Sequence, residues 1–528
     1  MNAVGENSVS LWMKTAAVPN ARRLEHDVGA DVVVVGSGIA GLSSAYELSC
    51  LGESVVVLDR GMLAGGMTSR TSAHLTSNID DLFQELIRLR GEKEARSYFR
   101  SRRAAIDRIE EIQKVEGIEC DFARLDGYLF PARPEDVKTL EAEVDACRRV
   151  GMRGVKWVDE TPIAGAAAGR SLIFPNQARF HPRKYAAGLI GAIRRNGGSL
   201  YAATSVTKVE EKSGEVLVTT ANGSAVRARS AIIATNSPIN DWLAVHTKQA
   251  PYRTYVIAGQ VPRGSLVDAL YWDTLDPYHY VRLQPASKRY DWLLAGGEDH
   301  KTGEVEDAER RLAELEAWAR SLVPKLGEIK YRWSGQVLDT VDYLPFSGKN
   351  PGNNSIFVHT GDSGEGLTNG VIGSLLLRDL VRGRKNARSA IFDPGRITVR
   401  AAGRFVSENV TVVANLAEYM TAGNRRSVGN IKRGKGAIVR HGVSKIAVYR
   451  DERGRLHARS AACTHSGCLL HWNSFEKCWD CTCHGSHFSV DGEPLNAPAV
   501  APLAEALESK AAVKKIKSAS LGRTRMAK

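Results

Sequence analysis

The chain has 528 residues, of which 43% are hydrophobic and 25% are charged. This length exceeds what a single hydrophobic core normally organises, so the sequence predicts two or three domains. No segment approaches the roughly 18 to 20 consecutive apolar residues of a membrane helix. No apolar run precedes a small-residue cleavage site near the N-terminus. We therefore expect a cytoplasmic protein without an integral membrane anchor.

The net charge of +13 would suit a nucleic-acid-binding protein, but its distribution argues against that function. Much of the excess lies in a cluster between Arg425 and Lys435 and in a C-terminal tail, residues 509–528, that has no acidic residue. Such basic segments without periodicity are usually solvated, and docking to an acidic surface or anionic lipid is the alternative. We predict no nucleic-acid partner.

The first elements in chain order predict a βαβ unit. Residues 1–30 lack periodicity and are expected to form an extended arm. Residues 31–35 are rich in valine and followed at once by glycines, which is typical of a buried parallel strand. Helical character at 42–51 and an apolar strand at 54–58 complete the unit. The later elements are predicted as helices at 79–117, short strands at 198–234, an aromatic β-region at 251–300, a helix at 304–322, a strand at 356–358 and a helix at 367–382.

The pattern changes near Pro394, which separates two regions of different class. Residues 31–394 are predicted to form an α/β domain. Residues 395–435 are interpreted as a linker containing a modest amphipathic helix and a Gly/Arg/Lys stretch. Residues 436–508 show short strands separated by turns, which indicates a small all-β domain.

A glycine-rich loop after the first strand predicts a dinucleotide site. Gly36, Gly38 and Gly41 form a G-x-G-x-x-G motif that opens the first helix. The first glycine permits the turn, the second allows a pyrophosphate to approach the backbone, and the third allows close helix–strand packing. Asp59 ends the second strand, where its carboxylate can accept hydrogen bonds from both hydroxyls of a ribose. The motif alone does not distinguish FAD from NAD.

Three further segments resemble the D-amino-acid-oxidase (DAO) type of FAD-dependent oxidoreductase. They are Gly65–His74, the D-x-L-P-x-x-G turn Asp342–Gly348 and the glycine-rich loop His359–Gly370. The resemblance implies a Rossmann-like FAD-binding domain with a β-rich substrate domain, and it implies FAD as the cofactor. The FAD-binding residues that it implies are Gly36, Gly38, Gly41, Asp59, Arg60, Arg70, Thr71, His74, Gly364, Gly366, Leu367 and Thr368.

Catalytic residues are less clearly indicated. His74 lies in the loop that the resemblance places near the flavin, so it is a candidate for catalysis or flavin contact, with packing as the alternative. Arg253 and Arg282 lie on strands expected to cover a substrate cavity, together with Tyr255 and Tyr280. An arginine there could bind a carboxylate through two hydrogen bonds, or it could form a structural salt bridge.

The C-terminal region contains five cysteines within 21 residues, interleaved with histidines. In a chain without a secretion signal, such a cluster favours metal binding over a disulfide framework. The boxes Cys463-Thr-His465 and Cys481-Thr-Cys-His484 resemble those of Rieske [2Fe–2S] domains over roughly residues 430–508. The resemblance implies Cys463 and Cys481 on one iron and His465 and His484 on the other. A structural zinc site is the alternative.

The same resemblance assigns Cys468 and Cys483 to a disulfide, as in the cytochrome-complex branch of Rieske proteins. Combining both domains predicts an FAD-dependent dehydrogenase that oxidises a small amine or amino-acid-like substrate. Its electrons would pass through the Rieske cluster to an external acceptor, with an acidic carrier protein as one candidate. The alternatives are an electron-transfer flavoprotein without its own substrate and a flavoenzyme with a structural zinc site.

Overall fold

The computed structural model describes residues 5–163, 165–166, 170–240, 245–420, 428–441 and 444–506. The basic tail 509–528 and part of the predicted linker, including Arg425 and Arg426, lie outside these residues. Within the described ranges, no helix is both long enough and apolar enough to cross a membrane.

The secondary structure alternates between helices and strands as far as residue 392 and is mainly β-structure after residue 428. The helices are α1 Leu11–Thr15, α2 Ile39–Ser49, α3 Phe83–Arg90, α4 Glu92–Val115, α5 Val137–Val150, α6 Pro182–Arg195, α7 Ala308–Leu322, α8 Gly366–Val381, α9 Ser389–Phe392 and α10 Ala402–Ala417. The strands are β1 Val28–Val35, β2 Val55–Leu58, β3 His74–Leu75, β4 Ala123–Phe130, β5 Lys156–Val158, β6 Ser171–Arg179, β7 Ser199–Tyr201, β8 Val206–Lys212, β9 Glu215–Thr220, β10 Ala225–Ile233, β11 Gln249–Pro262, β12 Leu270–Asp273, β13 Tyr280–Pro285, β14 Tyr290–Lys301, β15 Ile329–Thr340, β16 Phe346–Lys349, β17 Ile356–Thr360, β18 Lys435–His441, β19 Ser444–Arg450, β20 Leu456–Ser460, β21 Leu470–Asn473, β22 Cys478–Cys481, β23 His487–Phe488 and β24 Pro494–Asn496.

The first sheet has a parallel core in the order β17-β10-β1-β2-β7, with β16 antiparallel at one edge. The last four residues of β1 and all of β2 are buried, as expected for strands covered on both faces. Helices α2 and α8 pack together beside this sheet. A Cβ at Gly370 would lie 3.1 Å from the backbone nitrogen of Ala40, so a glycine allows this close approach. The predicted βαβ unit is confirmed.

The second sheet of the N-terminal domain has nine strands, eight of them in the order β15-β11-β14-β13-β12-β4-β6-β3. Most of its strands pair antiparallel, and α7 packs against β14 and β11. Buried aromatic side chains such as Tyr255, Tyr271 and Trp333 lie along it. This sheet is the β-rich region predicted from the aromatic pattern.

The C-terminal domain consists of two small antiparallel sheets, β18-β19-β20 and β21-β22-β23-β24. Its core contains Ile438, Leu470, Trp479 and Phe488, all nearly inaccessible to solvent. Helix α10 precedes it, at the position where the sequence predicts an amphipathic helix. The predicted α/β domain followed by a small all-β domain is therefore confirmed.

The N-terminal arm differs from the expectation of an extended segment. β1 begins at Val28, and the arm contains the short helix α1, whose Trp12 is fully buried. The Trp12 indole donates a hydrogen bond to the carbonyl of Thr71 at 2.6 Å, and the hydroxyl of Ser10 donates to the carbonyl of Ser69 at 2.6 Å. A helix of five residues is too short to produce a recognisable periodicity, so tertiary contacts determine its structure.

Candidate functional site

A large cavity lies where the parallel sheet meets the glycine-rich loop. Its volume is about 680 Å³, within the usual range for ligand sites. Gly38, Ile39 and Ala40 line it at the N-terminus of α2, and no side chain of the N-cap residue closes this helix end. The unpaired backbone N–H groups of a helix N-terminus favour anionic groups such as phosphates.

The glycines of the motif are required by the packing around them. Gly36 has a φ of +102°, and a Cβ there would overlap the carbonyl oxygen of Ala234. A Cβ at Gly41 would overlap the carbonyl oxygen of Gly36. Gly36 and Gly38 line the cavity, whereas Gly41 packs behind the loop. The structure thus contains the tight glycine turn that the sequence predicts.

Asp59 lies at the cavity, and its carboxylate is held in place by the glycine loop. Its Oδ2 accepts hydrogen bonds from the backbone and hydroxyl of Ser37 at 2.9 and 2.5 Å, and its Oδ1 accepts from the backbone of Gly61 at 2.8 Å. These donors leave about one of the four acceptor positions of a carboxylate, which is enough for one ribose hydroxyl and not for the two that the sequence predicts. The neighbouring Arg60 also lines the cavity, and burial lowers the pKa of its guanidinium to about 10.

A second helix N-terminus reaches the same cavity. Gly364, Gly366 and Leu367 line it at the beginning of α8, and Thr368 lies just beyond. Because α2 and α8 pack side by side, the positive ends of two helix dipoles converge on one cavity. The predicted residues of the glycine-rich loop therefore lie beside the predicted dinucleotide residues.

A smaller chamber adjoins this cavity. The two share Thr71, Ser72, Tyr280 and other lining residues, and His74 lines only the chamber. His74 Nδ1 lies 3.0 Å from the hydroxyl of Ser72, and its ring packs edge-on against Tyr280. Burial, reinforced by the nearby Arg282 charge, lowers the pKa of His74 to about 3, so the imidazole is neutral near pH 7.

Neither arginine considered for a substrate carboxylate lines the chamber. Arg282 is fully buried and donates hydrogen bonds to the carbonyl of Ala73 at 3.0 Å and to Gln284 at 2.7 Å. Arg253 is buried in the contact between the two domains, where it pairs with Asp480. Arg253 therefore forms a structural salt bridge, as the alternative had it, whereas Arg282 is held by neutral hydrogen-bond acceptors.

The two cysteine–histidine boxes form loops with the same hydrogen-bonding pattern. In one, the backbone of Cys463 donates to the carbonyl of Cys468 and the backbone of Gly467 donates to that of Cys463. In the other, Cys481 donates to Ser486 and Gly485 donates to Cys481. Both glycines have a φ near +77° (+76° and +78°), a conformation that favours glycine. This shared turn explains the glycine in each box.

The side chains of the two boxes meet between these loops. The Cys481 thiol hydrogen-bonds the Cys463 sulfur and lowers the pKa of Cys463 to about 7. The imidazole rings of His465 and His484 lie 5.0 Å apart. Burial lowers the pKa of His484 to about 3, and the neutral imidazole is the form that binds metals. These four side chains fit the donor set of a cluster with two thiolate and two imidazole ligands.

Cys468 and Cys483 form a disulfide that ties the two loops together. The pairing agrees with the prediction. The two sulfurs lie within 4.8 Å of the Cys481 sulfur, but a disulfide sulfur is not a thiolate and is not counted among the metal donors. Cys478, the remaining cysteine of the cluster, is buried beside Asp480.

Comparison with known proteins identifies both domains. Residues 31–380 match the FAD-dependent oxidoreductase family (DAO), and residues 425–511 match the Rieske [2Fe-2S] domain family. The chain belongs to the FAD-dependent oxidoreductase family. Its cofactors are FAD in the first domain and a [2Fe–2S] cluster in the second, as predicted, which excludes the zinc alternative.

Individual relatives support the same architecture. The putative Rieske 2Fe-2S iron-sulfur protein YhfW of Bacillus subtilis is 30% identical over 495 residues, covering 93% of this chain and 96% of that protein. Gamma-glutamylputrescine oxidoreductase of Escherichia coli is 28% identical and covers 68% of this chain and 85% of its own length. The crystal structure of glycine oxidase from Geobacillus kaustophilus has a TM-score of 0.59 at 22% identity, covering 70% of this chain and 99% of that one. This last likeness concerns the fold alone.

The FAD domain and the Rieske domain are joined by a buried network of charges. Arg70 was predicted to bind FAD, and it lines the cavity, but its guanidinium pairs with Glu6 and Glu476, both at 3.1 Å. Arg253 contacts Asp480 at 3.0 Å and His487 Nε2 at 3.0 Å. All these groups are almost inaccessible to solvent. The sequence did not reveal this network, because its members are separated by up to 481 positions.

Each domain also contributes residues to the candidate cofactor site of the other domain. The segment Pro494–Ala497 of the Rieske domain, together with Ala499 and Val500, lines the FAD cavity. Asn496 donates a hydrogen bond to Gln336 of the FAD domain at 2.6 Å. In return, His246 of the FAD domain places its ring 5.0 Å from that of His465 and 5.4 Å from that of His484. The sequence analysis assigned no role to Pro494–Ala497 or to His246, because only the packing of the two domains brings them to these sites.

Proposed function

We propose that this protein is a dehydrogenase that oxidises a small amine or amino-acid-like substrate and passes the electrons through its Rieske cluster to an external acceptor. The observation that carries this proposal is the shared site: Pro494–Ala497 of the Rieske domain lines the FAD cavity, and His246 of the FAD domain contacts both candidate histidine ligands. Each domain thereby completes the surroundings of the other domain's cofactor.

When bound, FAD accepts two electrons with a hydride from the substrate, whereas a [2Fe–2S] cluster accepts one electron at a time. The chain's own residues hold these groups. We assign the FAD pyrophosphate to the N-terminus of α2 and a ribose hydroxyl to Asp59. We assign Cys463 and Cys481 to one iron and His465 and His484 to the other.

The chamber beside the FAD cavity supports a substrate of the protein's own. Its walls carry hydrogen-bonding groups, including His74, Tyr278 and Tyr280, along with the apolar face of Trp272. An electron-transfer flavoprotein without a substrate would not require such a lined chamber. His74 is neutral, so we propose that it contacts the substrate as a hydrogen-bonding group and not as a charge.

The test is anaerobic mixing of the holoprotein with candidate amines and amino acids, followed by flavin absorbance and by EPR. We expect the flavin to bleach and a rhombic Rieske signal to appear, in amounts that together equal the electrons released by the substrate. In air without an added acceptor, turnover should be slow compared with turnover in the presence of a one-electron acceptor.

The control removes the cluster and leaves the flavin site unchanged. A Cys463→Ser variant should still bleach its flavin with substrate but should lose turnover with the one-electron acceptor. The proposal would be overturned if the intact protein released hydrogen peroxide at the full rate of substrate oxidation while its cluster stayed oxidised.

A further inference from the structure

The chamber that adjoins the FAD cavity has a distinctive charge pattern. Three carboxyl groups line it: Asp80 from the loop before α3, Asp299 from β14 and Glu365 at the start of α8. Asp80 is exposed, and its Oδ2 accepts a hydrogen bond from the hydroxyl of Tyr278 at 2.6 Å. None of the described residues that line the chamber is Lys or Arg, and its histidine, His74, is neutral.

The nearest cations are already committed elsewhere. Arg102 is fully buried, and its guanidinium pairs with Glu365 and donates to the carbonyl of Thr76 at 2.8 Å. Glu365, the third carboxyl group of the wall, is therefore compensated by Arg102, whereas Asp80 and Asp299 have no Lys or Arg among the described lining residues. Arg282 lies behind His74 and is occupied by Ala73 and Gln284, as described above.

A buried amide supplies a further acceptor in the chamber wall. Asn78 is 2% exposed and lines the chamber, and within the described part of the chain its Oδ1 has no hydrogen-bond partner. A buried amide oxygen without a donor is costly, by roughly 1–3 kcal/mol. A ligand carrying N–H groups would satisfy it, whereas a carboxylate, which only accepts hydrogen bonds when ionised, would not.

From this lining we infer that the chamber binds an alkylammonium group and excludes a carboxylate, so that the substrates are cationic amines without an α-carboxylate. The inference rests on the proposed function and narrows it. An ammonium has three N–H donors. The carboxyl groups of the two aspartates and the side-chain oxygen of Asn78 are hydrogen-bond acceptors for such donors. An α-carboxylate in the same chamber would face the carboxyl groups of Asp80 and Asp299 with no Lys or Arg side chain among the described lining residues, so like-charge repulsion and the cost of burying its charge both oppose its binding.

The protonation of Asp299 supports this choice. Burial raises the pKa of Asp299 to about 7. A bound ammonium lowers the pKa of a neighbouring carboxyl group because it favours the charged form. Binding of an ammonium therefore favours the ionised form of Asp299, and loss of the ligand allows this carboxyl group to take up a proton near neutral pH.

The binding test uses two ligands of the same shape, tert-butylammonium and pivalate, neither of which has a hydrogen on the carbon that would be oxidised. Added to the oxidised holoprotein, tert-butylammonium should perturb the flavin spectrum and compete with substrate, and pivalate should do neither. Asp299→Asn should weaken tert-butylammonium binding roughly tenfold to hundredfold through loss of a charged partner. Asp80→Asn provides a second variant if the first does not fold. Asp145→Asn, an exposed carboxylate on α5, is the matched control and should bind normally.

The substrate test compares pairs that differ only in the carboxylate, such as 1,5-diaminopentane with lysine and butylamine with norvaline. The amines should bleach the flavin anaerobically and the amino acids should not. Pivalate binding, or the absence of tert-butylammonium binding, would overturn this inference. If amino acids reduced both flavin and cluster, the proposed function would stand and the inference would fail. If tert-butylammonium bound but no compound reduced the cluster, the inference would stand and the electron-relay function would fail.

Discussion

Two glycines at equivalent positions of the cluster loops allow a sharp test of the domain contact. Gly467 and Gly485 have φ values of +76° and +78°. Alanine costs roughly 1–2 kcal/mol at either position, because this conformation brings Cβ close to the following carbonyl. A Cβ at Gly467 would meet nothing within 4 Å, whereas at Gly485 it would overlap Gln336 Nε2 and lie 2.9 Å from Pro251 Cβ.

The two alanine variants should therefore differ by the cost of the domain contact. Gly467→Ala should lose only about 1–2 kcal/mol of stability. In Gly485→Ala, Gln336 must move and lose its hydrogen bond to the buried Asn496, which adds roughly 1–3 kcal/mol. We expect a total loss of about 2–5 kcal/mol, together with weaker FAD retention, because Asn496 also lines the FAD cavity.

Guanidinium unfolding of the holoproteins measures this difference, with the cluster followed by visible circular dichroism and the FAD by its fluorescence on release. Gly467→Ala should lower the cluster midpoint and leave FAD release nearly unchanged. Gly485→Ala should lower both. Equal effects of the two substitutions on FAD release would refute the argument, because backbone strain within each loop would then explain the loss of FAD without any contribution from the domain contact.

Three other predictions follow from buried groups. Arg253→Met should destabilise the domain contact by about 3–5 kcal/mol, because Asp480 is left buried without its partner. The double variant Arg253→Met with Asp480→Leu should lose much less stability than the single variant. Additive effects of the two substitutions in unfolding experiments would contradict this. Burial raises the pKa of Glu143 to about 7, so the folded state holds this proton longer than the unfolded state, and stability should fall by about 3 kcal/mol as the pH rises from about 4.5 to 7. Glu143→Gln should abolish that part of the pH dependence in urea titrations, and an unchanged slope would count against it. His246→Ala should slow electron transfer from flavin to cluster severalfold, relative to the rate of flavin reduction, in stopped-flow traces. If the ratio of these two rates is unaltered, His246 does not contribute to electron transfer between the two cofactors.

The sequence predicted the parts of the site whose residues are close together in the chain. The loop Gly36–Gly41 and the boxes around Cys463 and Cys481 each belong to one turn, so spacing alone reports their geometry. The resemblance to known families then supplied FAD, the cluster and the pairing of Cys468 with Cys483. These predictions required no knowledge of how the two domains pack.

The parts that the sequence did not predict depend on contacts between distant segments. Arg253 was considered as a substrate clamp because its strand was known but its partner, Asp480, was not. Arg70 was assigned to FAD from its loop, yet its guanidinium faces Glu6 of the arm and Glu476 of the Rieske domain. A charged residue on a strand can face a cavity or another domain with the same local pattern, so only the tertiary structure distinguishes the two.

The buried charges between the two domains are better explained by their effect on the relative orientation of the domains than by a contribution to stability. A buried ion pair contributes little net stability compared with apolar residues of the same volume, because desolvation offsets the attraction. Its hydrogen bonds, however, are satisfied in one geometry only, and a displaced pair leaves each charge uncompensated. Here the geometry that satisfies Arg70 and Arg253 is also the one in which Asn496 contacts Gln336 and His246 contacts the candidate ligands His465 and His484. Any displacement of the Rieske domain therefore costs the charge network and opens both cofactor sites together, so the network holds the two redox centres in a single relative position.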